Sequence, residues 1–98
     1  LQQNFADAEN AAQVLALDAL GWIAGEGELL DVFTGSTGIG RDALTEAIED
    51  PEMLGAVLDF LMMDDAWIVA FCDARGLPYD APARARAALP GGAQVHWT

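Results

Sequence analysis

Asp59, Asp64 and Asp65 come closest to a reactive pattern in this chain, two adjacent carboxylates with a third about one and a half helical turns earlier. Carboxylates held close together can split their pKa values and share acid–base work, or hold a hard cation through oxygen ligands. A calcium loop of the EF-hand type would need alternating acids around a central glycine, and that spacing is absent. Asp59 shares the polar side of its helix with Glu52 and Gly55, the side expected to face solvent. Asp64 and Asp65 are good helix caps and poor helix interiors. Capping is therefore the favoured reading, and a carboxylate-lined pocket between helices is the alternative.

The run Gly35-Ser36-Thr37-Gly38-Ile39-Gly40 followed by Arg41 has the outline of a phosphate loop. Such a loop needs a strand before it, then Lys and a hydroxyl at its end to meet phosphate and magnesium. Here a helix precedes it, Arg41 replaces lysine and Asp42 would repel the anion, so a plain interhelical loop is expected. His96 is the single histidine and Cys72 the single cysteine. A nucleophile pair would need the thiolate exposed and stabilised, whereas Val69, Ala70 and Phe71 point to burial and Asp73 opposes ionisation. One cysteine also excludes an internal disulfide and a cysteine-based zinc cluster. No catalytic residue, metal or cofactor is assigned; a non-enzyme is the favoured reading, and a small enzyme or ligand- or metal-binding protein built on that carboxylate-lined pocket is the alternative.

A helix-turn-helix reading of 26–34 and 41–49 fails on charge, because the second helix would offer Asp42, Glu46 and Glu49 against Arg41 alone. The whole chain carries 16 acids, four arginines and no lysine, a net charge of −12. Residues 1–74 hold 15 of the acids with Arg41, while 75–98 hold Arg75, Arg84 and Arg86 with Asp80. Phosphate backbones and anionic lipid headgroups both demand surplus Lys and Arg, so neither nucleic acid nor membrane is an expected partner. A basic protein is. Glu26, Glu28 and Asp31 form one candidate contact surface, and Val95, His96 and Trp97 the other, since tryptophan is favoured at binding hot spots.

The elements that must position these residues are helical. After a loose lead-in over 1–7, with Asp7 as N-cap, a helix is predicted from Ala8 to Gly25. Ala11, Ala12, Leu15, Ala19, Trp22 and Ile23 make its stripe, and Val14, Leu17 and Leu20 widen it enough to suggest cover on more than one side. Shorter helices are predicted over 26–34 and 41–49, where Ile39 can staple onto Leu44. Asp50-Pro51-Glu52 opens the clearest helix, with Leu54, Val57, Leu58, Leu61 and Met62 at regular helical spacing over 51–63. A break at Asp64 starts a helix to Arg75, closed by Gly76-Leu77-Pro78. Asp80 caps the last helix, which reaches Leu89 before Pro90-Gly91-Gly92. No segment alternates with period two, and no apolar run approaches the ~20 residues of a membrane span.

Ala19-Leu20-Gly21-Trp22-Ile23-Ala24, Thr37-Gly38-Ile39-Gly40 and Asp50-Pro51 leading to Val57-Leu58-Asp59-Phe60-Leu61 follow one another in a recognisable order. With Phe71, Gly76-Leu77-Pro78 and Ala85-Arg86-Ala87-Ala88-Leu89-Pro90-Gly91, the chain resembles a domain-of-unknown-function family of proteins of about this length, known mainly from alphaproteobacteria. The resemblance covers about residues 11–92 and implies one intact bacterial domain, with no functional residue to carry over. The expected architecture is all-α, a compact irregular bundle of five or six short helices over 8–90 with a tail over 91–98, and 51–63 and 65–75 as its central pair. The expected role is an acidic protein–protein interaction or regulatory module of the cytoplasm, given one cysteine and no signal peptide. Mimicry of nucleic acid toward a basic protein shares the same charge argument. A homodimer through an uncovered helix face is open as well.

Overall fold

The computed structural model describes residues 2–89 and places six helices there. These are α1 (Gln2–Gly25), α2 (Leu29–Thr37), α3 (Arg41–Ala47), α4 (Pro51–Leu61), α5 (Asp65–Arg75) and α6 (Ala81–Ala88). No strand occurs among the described residues, and the fold is an all-α bundle.

The helix ends follow local chemistry where a side chain can act on the adjacent backbone. The Asp50 carboxylate accepts from the Glu52 amide at 3.0 Å, and Pro51 occupies the first turn of α4. Asp64 does the same for α5, accepting from the Ala66 amide at 2.9 Å, so the chain does break between α4 and α5. At the end of α5, Gly76 takes the left-handed conformation at φ +68°, and the Leu77 amide returns to the Cys72 carbonyl at 2.9 Å. Leu77 then packs on the core.

Several ends lie elsewhere than expected. α1 starts at Gln2, and Asp7 lies inside it instead of capping it, because nothing from Gln2 to Ala8 interrupts a helix. α2 runs from Leu29 to Thr37, three residues later than predicted at each end, so Gly35, Ser36 and Thr37 are helical and not loop. The two threonine hydroxyls are satisfied within the helix, Thr34 donating to the Asp31 carbonyl at 3.0 Å and Thr37 to the Phe33 carbonyl at 2.7 Å. Termination falls to Gly38, left-handed at φ +74°. Asp80 is not a cap for α6: its backbone is already helical and its carboxylate meets Arg84 at 3.5 Å.

The central element is α1, and not the expected pair of α4 and α5. Its densest packing is against α6 and then α4, which also pack on each other. The reason is size. Ala12, Ala16 and Ala19 form a narrow seam on α1, and Ala81 and Ala85 on α6 are equally small and buried, so two short-chained faces can approach closely. Ile23, Leu54, Val57, Leu58 and Leu61 fill the space beside the seam. Each such side chain contributes roughly 1.5–3 kcal/mol on burial. Phe33 meets Phe60 edge-on at 5.1 Å, Phe60 stacks on Trp67 at 4.8 Å, and Trp22 meets Phe71 edge-on at 5.9 Å, which ties α2 and α5 to this core.

Candidate functional site

Asp59, Asp64 and Asp65 are given separate tasks by the fold. Asp59 accepts from Arg86 Nε at 2.7 Å, an ion pair joining α4 to α6. The Arg86 side chain is 18% exposed because its guanidinium lies across α4 at Gly55. Asp59 and Glu52 are exposed, as expected of the polar side of α4, whereas Gly55 between them is buried under Arg86 of α6. Asp64 is occupied as the α5 cap, and Asp65 is exposed in the first turn of the same helix. Among the described residues no three His, Cys, Asp or Glu side chains converge as metal ligands would.

A groove of about 350 Å³ runs between α1 and α6. Ala11, Leu15, Leu77, Pro78, Ala81 and Ala88 shape it, and Arg84 is the charged residue on its wall. None of the three aspartates lines it. Its chemistry is that of a shallow apolar surface, with neither a nucleophile nor a base.

Cys72 is fully buried and reduced. Burial pushes its thiol pKa up, and the negative charges of Asp73 and Asp80 push it further. Tyr79, exposed, donates to Asp73 at 2.8 Å, and that bond raises its phenol pKa. The arginines of the C-terminal quarter are engaged with acids: Arg75 Nε donates to Asp18 at 2.8 Å, Arg84 meets Asp80, and Arg86 meets Asp59.

Glu26 and Glu28 lie in the connection after α1, and Asp31 follows in the first turn of α2, all three exposed. This acidic corner follows the C-terminal end of α1, where the sequence pattern predicts cover for Val14, Leu17 and Leu20; Leu20 is buried in the core and the other two are not. Val14 is 66% exposed and Leu17 38%, and Gly21 and Ala24 are exposed with them. Folding buries one side of α1 and leaves this one open. Val95, His96 and Trp97 lie outside the described residues.

A family model described as "Protein of unknown function (DUF3572)" matches residues 9–92. The chain belongs to this family. No curated protein and no solved structure matches it. The matched DUF3572 segment takes in every helix from the interior of α1 to the end of α6, and with them the α1–α6 groove wall except Ala8, the acidic corner and the Arg86–Asp59 pair. No helix among the described residues of this DUF3572 chain is long and apolar enough to cross a membrane.

Proposed function

We propose that the chain is a small acidic protein–protein interaction module of the bacterial cytoplasm, of alphaproteobacterial origin, with a basic protein as its partner. The observation that carries this reading is the disposition of charge. No charged or polar side chain is buried among the described residues, so the acids are spent on the surface and not on an internal reaction site. Arg75, Arg84 and Arg86 are each engaged with an aspartate. Glu26 and Glu28 are exposed in the connection after α1, and Asp31 is exposed in the first turn of α2. Exposed acids of this kind attract cationic partners and speed their encounter. The groove between α1 and α6 lends no support to a carboxylate-lined ligand pocket, because no carboxylate lines it.

The test is affinity capture from native bacterial lysate at low and high salt, with the wild-type chain and with Glu26→Lys, Glu28→Lys and Asp31→Lys combined. A specific partner held by wild type, released at high salt and missing from the triple variant is the expected result, since exposed charges are screened within about 10 Å at 0.1 M salt. Equal capture by both chains would refute the charge-based reading.

A further inference from the structure

The open side of α1 has a periodicity of its own. Asp7, Asn10, Val14, Leu17, Gly21 and Ala24 follow one another at alternating three- and four-residue steps, and all six are exposed. Those are the a and d positions of a heptad, the spacing by which one helix receives the side chains of another. Val14, Leu17, Gly21 and Ala24 make the apolar stretch, about 15 Å long at 1.5 Å per residue. The buried seam of Ala12, Ala16, Ala19 and Ile23 occupies the other side of the same helix.

Gly21 sharpens the point. It lies inside α1, its backbone dihedrals are ordinary, and a Cβ placed there would meet nothing within 4 Å. Neither space nor conformation within the chain calls for glycine, and glycine in a helix interior costs about 1 kcal/mol relative to alanine. At a d-and-a seam, a residue without a side chain lets a second backbone come close.

We infer that the outer seam of α1 is a docking surface for a partner helix whose apolar heptad stripe is flanked at both ends by basic residues. The inference rests on the interaction-module reading above and names its partner. Charge decides the occupant. Asp7 stands at one end of the apolar stretch, and Glu26 and Glu28 follow its other end. A second copy packed antiparallel would set Asp7 of each chain against the other's Glu26 and Glu28. A parallel copy would set like acids against each other at both ends. Either arrangement opposes like charges, whereas a helix with Lys or Arg at each end of its stripe is matched twice.

The experiment is an NMR titration of the full chain with two designed peptides of identical composition. One carries leucines at a and d over two heptads with lysines at both ends, and the other has those positions scrambled. The heptad peptide is expected to shift the amides of Val14, Leu17, Gly21, Ala24 and Glu26, and the scrambled peptide to bind at least tenfold more weakly. Leu17→Glu should weaken the heptad peptide tenfold or more, with Val14→Glu as the second variant should the first fail to fold. Shifts centred on the α1–α6 groove, equal binding of both peptides, or self-association of the free chain that Leu17→Glu abolishes would each overturn the proposal. The capture experiment separates the two levels. A partner lost by the triple lysine variant but kept by Leu17→Glu removes the α1 seam and leaves the module reading standing. A partner kept by both removes the charge-based reading as well, and absence of any specific partner for wild type removes the module reading itself.

Discussion

The Arg86 guanidinium takes the place that a Gly55 side chain would fill: a Cβ at Gly55 would stand 3.0 Å from both Cζ and Nη1 of Arg86. One turn along α4, Asp59 holds the same guanidinium at 2.7 Å. Glycine is thus the residue that lets α6 reach over α4 to its aspartate. Gly55→Ala should be close to neutral in wild type, because a helix gain of about 1 kcal/mol is offset by displacing Arg86. In an Arg86→Ala background the same substitution should stabilise by the full amount. Urea unfolding of the four proteins measures the coupling, and additive effects would show that the two residues do not share this space.

Gly21→Ala should stabilise the isolated chain by about 1 kcal/mol, since the position is helical, exposed and unobstructed. For a domain of this size that corresponds to a rise of roughly 4–8 °C in melting temperature. Calorimetry is the check, and an unchanged or lower value would reveal a constraint on Gly21 within the fold.

Asp50→Ala and Asp64→Ala should each cost about 1 kcal/mol, because each removes a side-chain acceptor from the first turn of a helix. Asparagine at either position should recover most of it. Asp80→Ala should stay within about 0.5 kcal/mol, as that carboxylate is exposed and caps nothing. Denaturant midpoints of the five variants separate capping from mere acidity.

Stability should fall on the alkaline side, in part through Cys72. Its folded pKa is raised, so the folded chain keeps the thiol proton at a pH where the unfolded chain has lost it. The contribution is intact below about pH 8.5, the ordinary thiol value, and is lost as pH climbs toward the folded one. Tyr79 acts in the same direction at higher pH, through its bond to Asp73. Between pH 7.5 and 9.5 the urea midpoint of wild type should therefore drop more than that of Cys72→Ala. Parallel slopes would exclude the thiol as a source.

What was legible in the sequence was what a residue does to its immediate neighbours. Asp50-Pro51, Asp64 and Gly76-Leu77-Pro78 act on backbone groups within a few positions, and each marks the boundary it suggests. The end of α2 was less legible, because Thr34 and Thr37 can bond either within a helix or within a turn, and only the outcome tells which. The central role of α1 and α6 was not legible. Alanine carries little hydrophobic signal, yet buried alanines on both helices line the most extensive helix contact in the fold. The Asp59–Arg86 pair spans 27 positions, and no local pattern joins them. The open seam of α1 was visible as an apolar widening, but its lack of cover depends on where the other helices pack.

Because α1 serves the core on one side and stands open on the other, occupancy of its outer seam and integrity of the fold draw on one element. A ligand that binds only the folded chain adds RT ln(1 + [L]/Kd) to its stability, about 2.7 kcal/mol at a hundredfold excess over Kd. The melting temperature of this domain is then itself a gauge of whether its partner is present, and a chain left alone would be the version most readily removed by proteolysis.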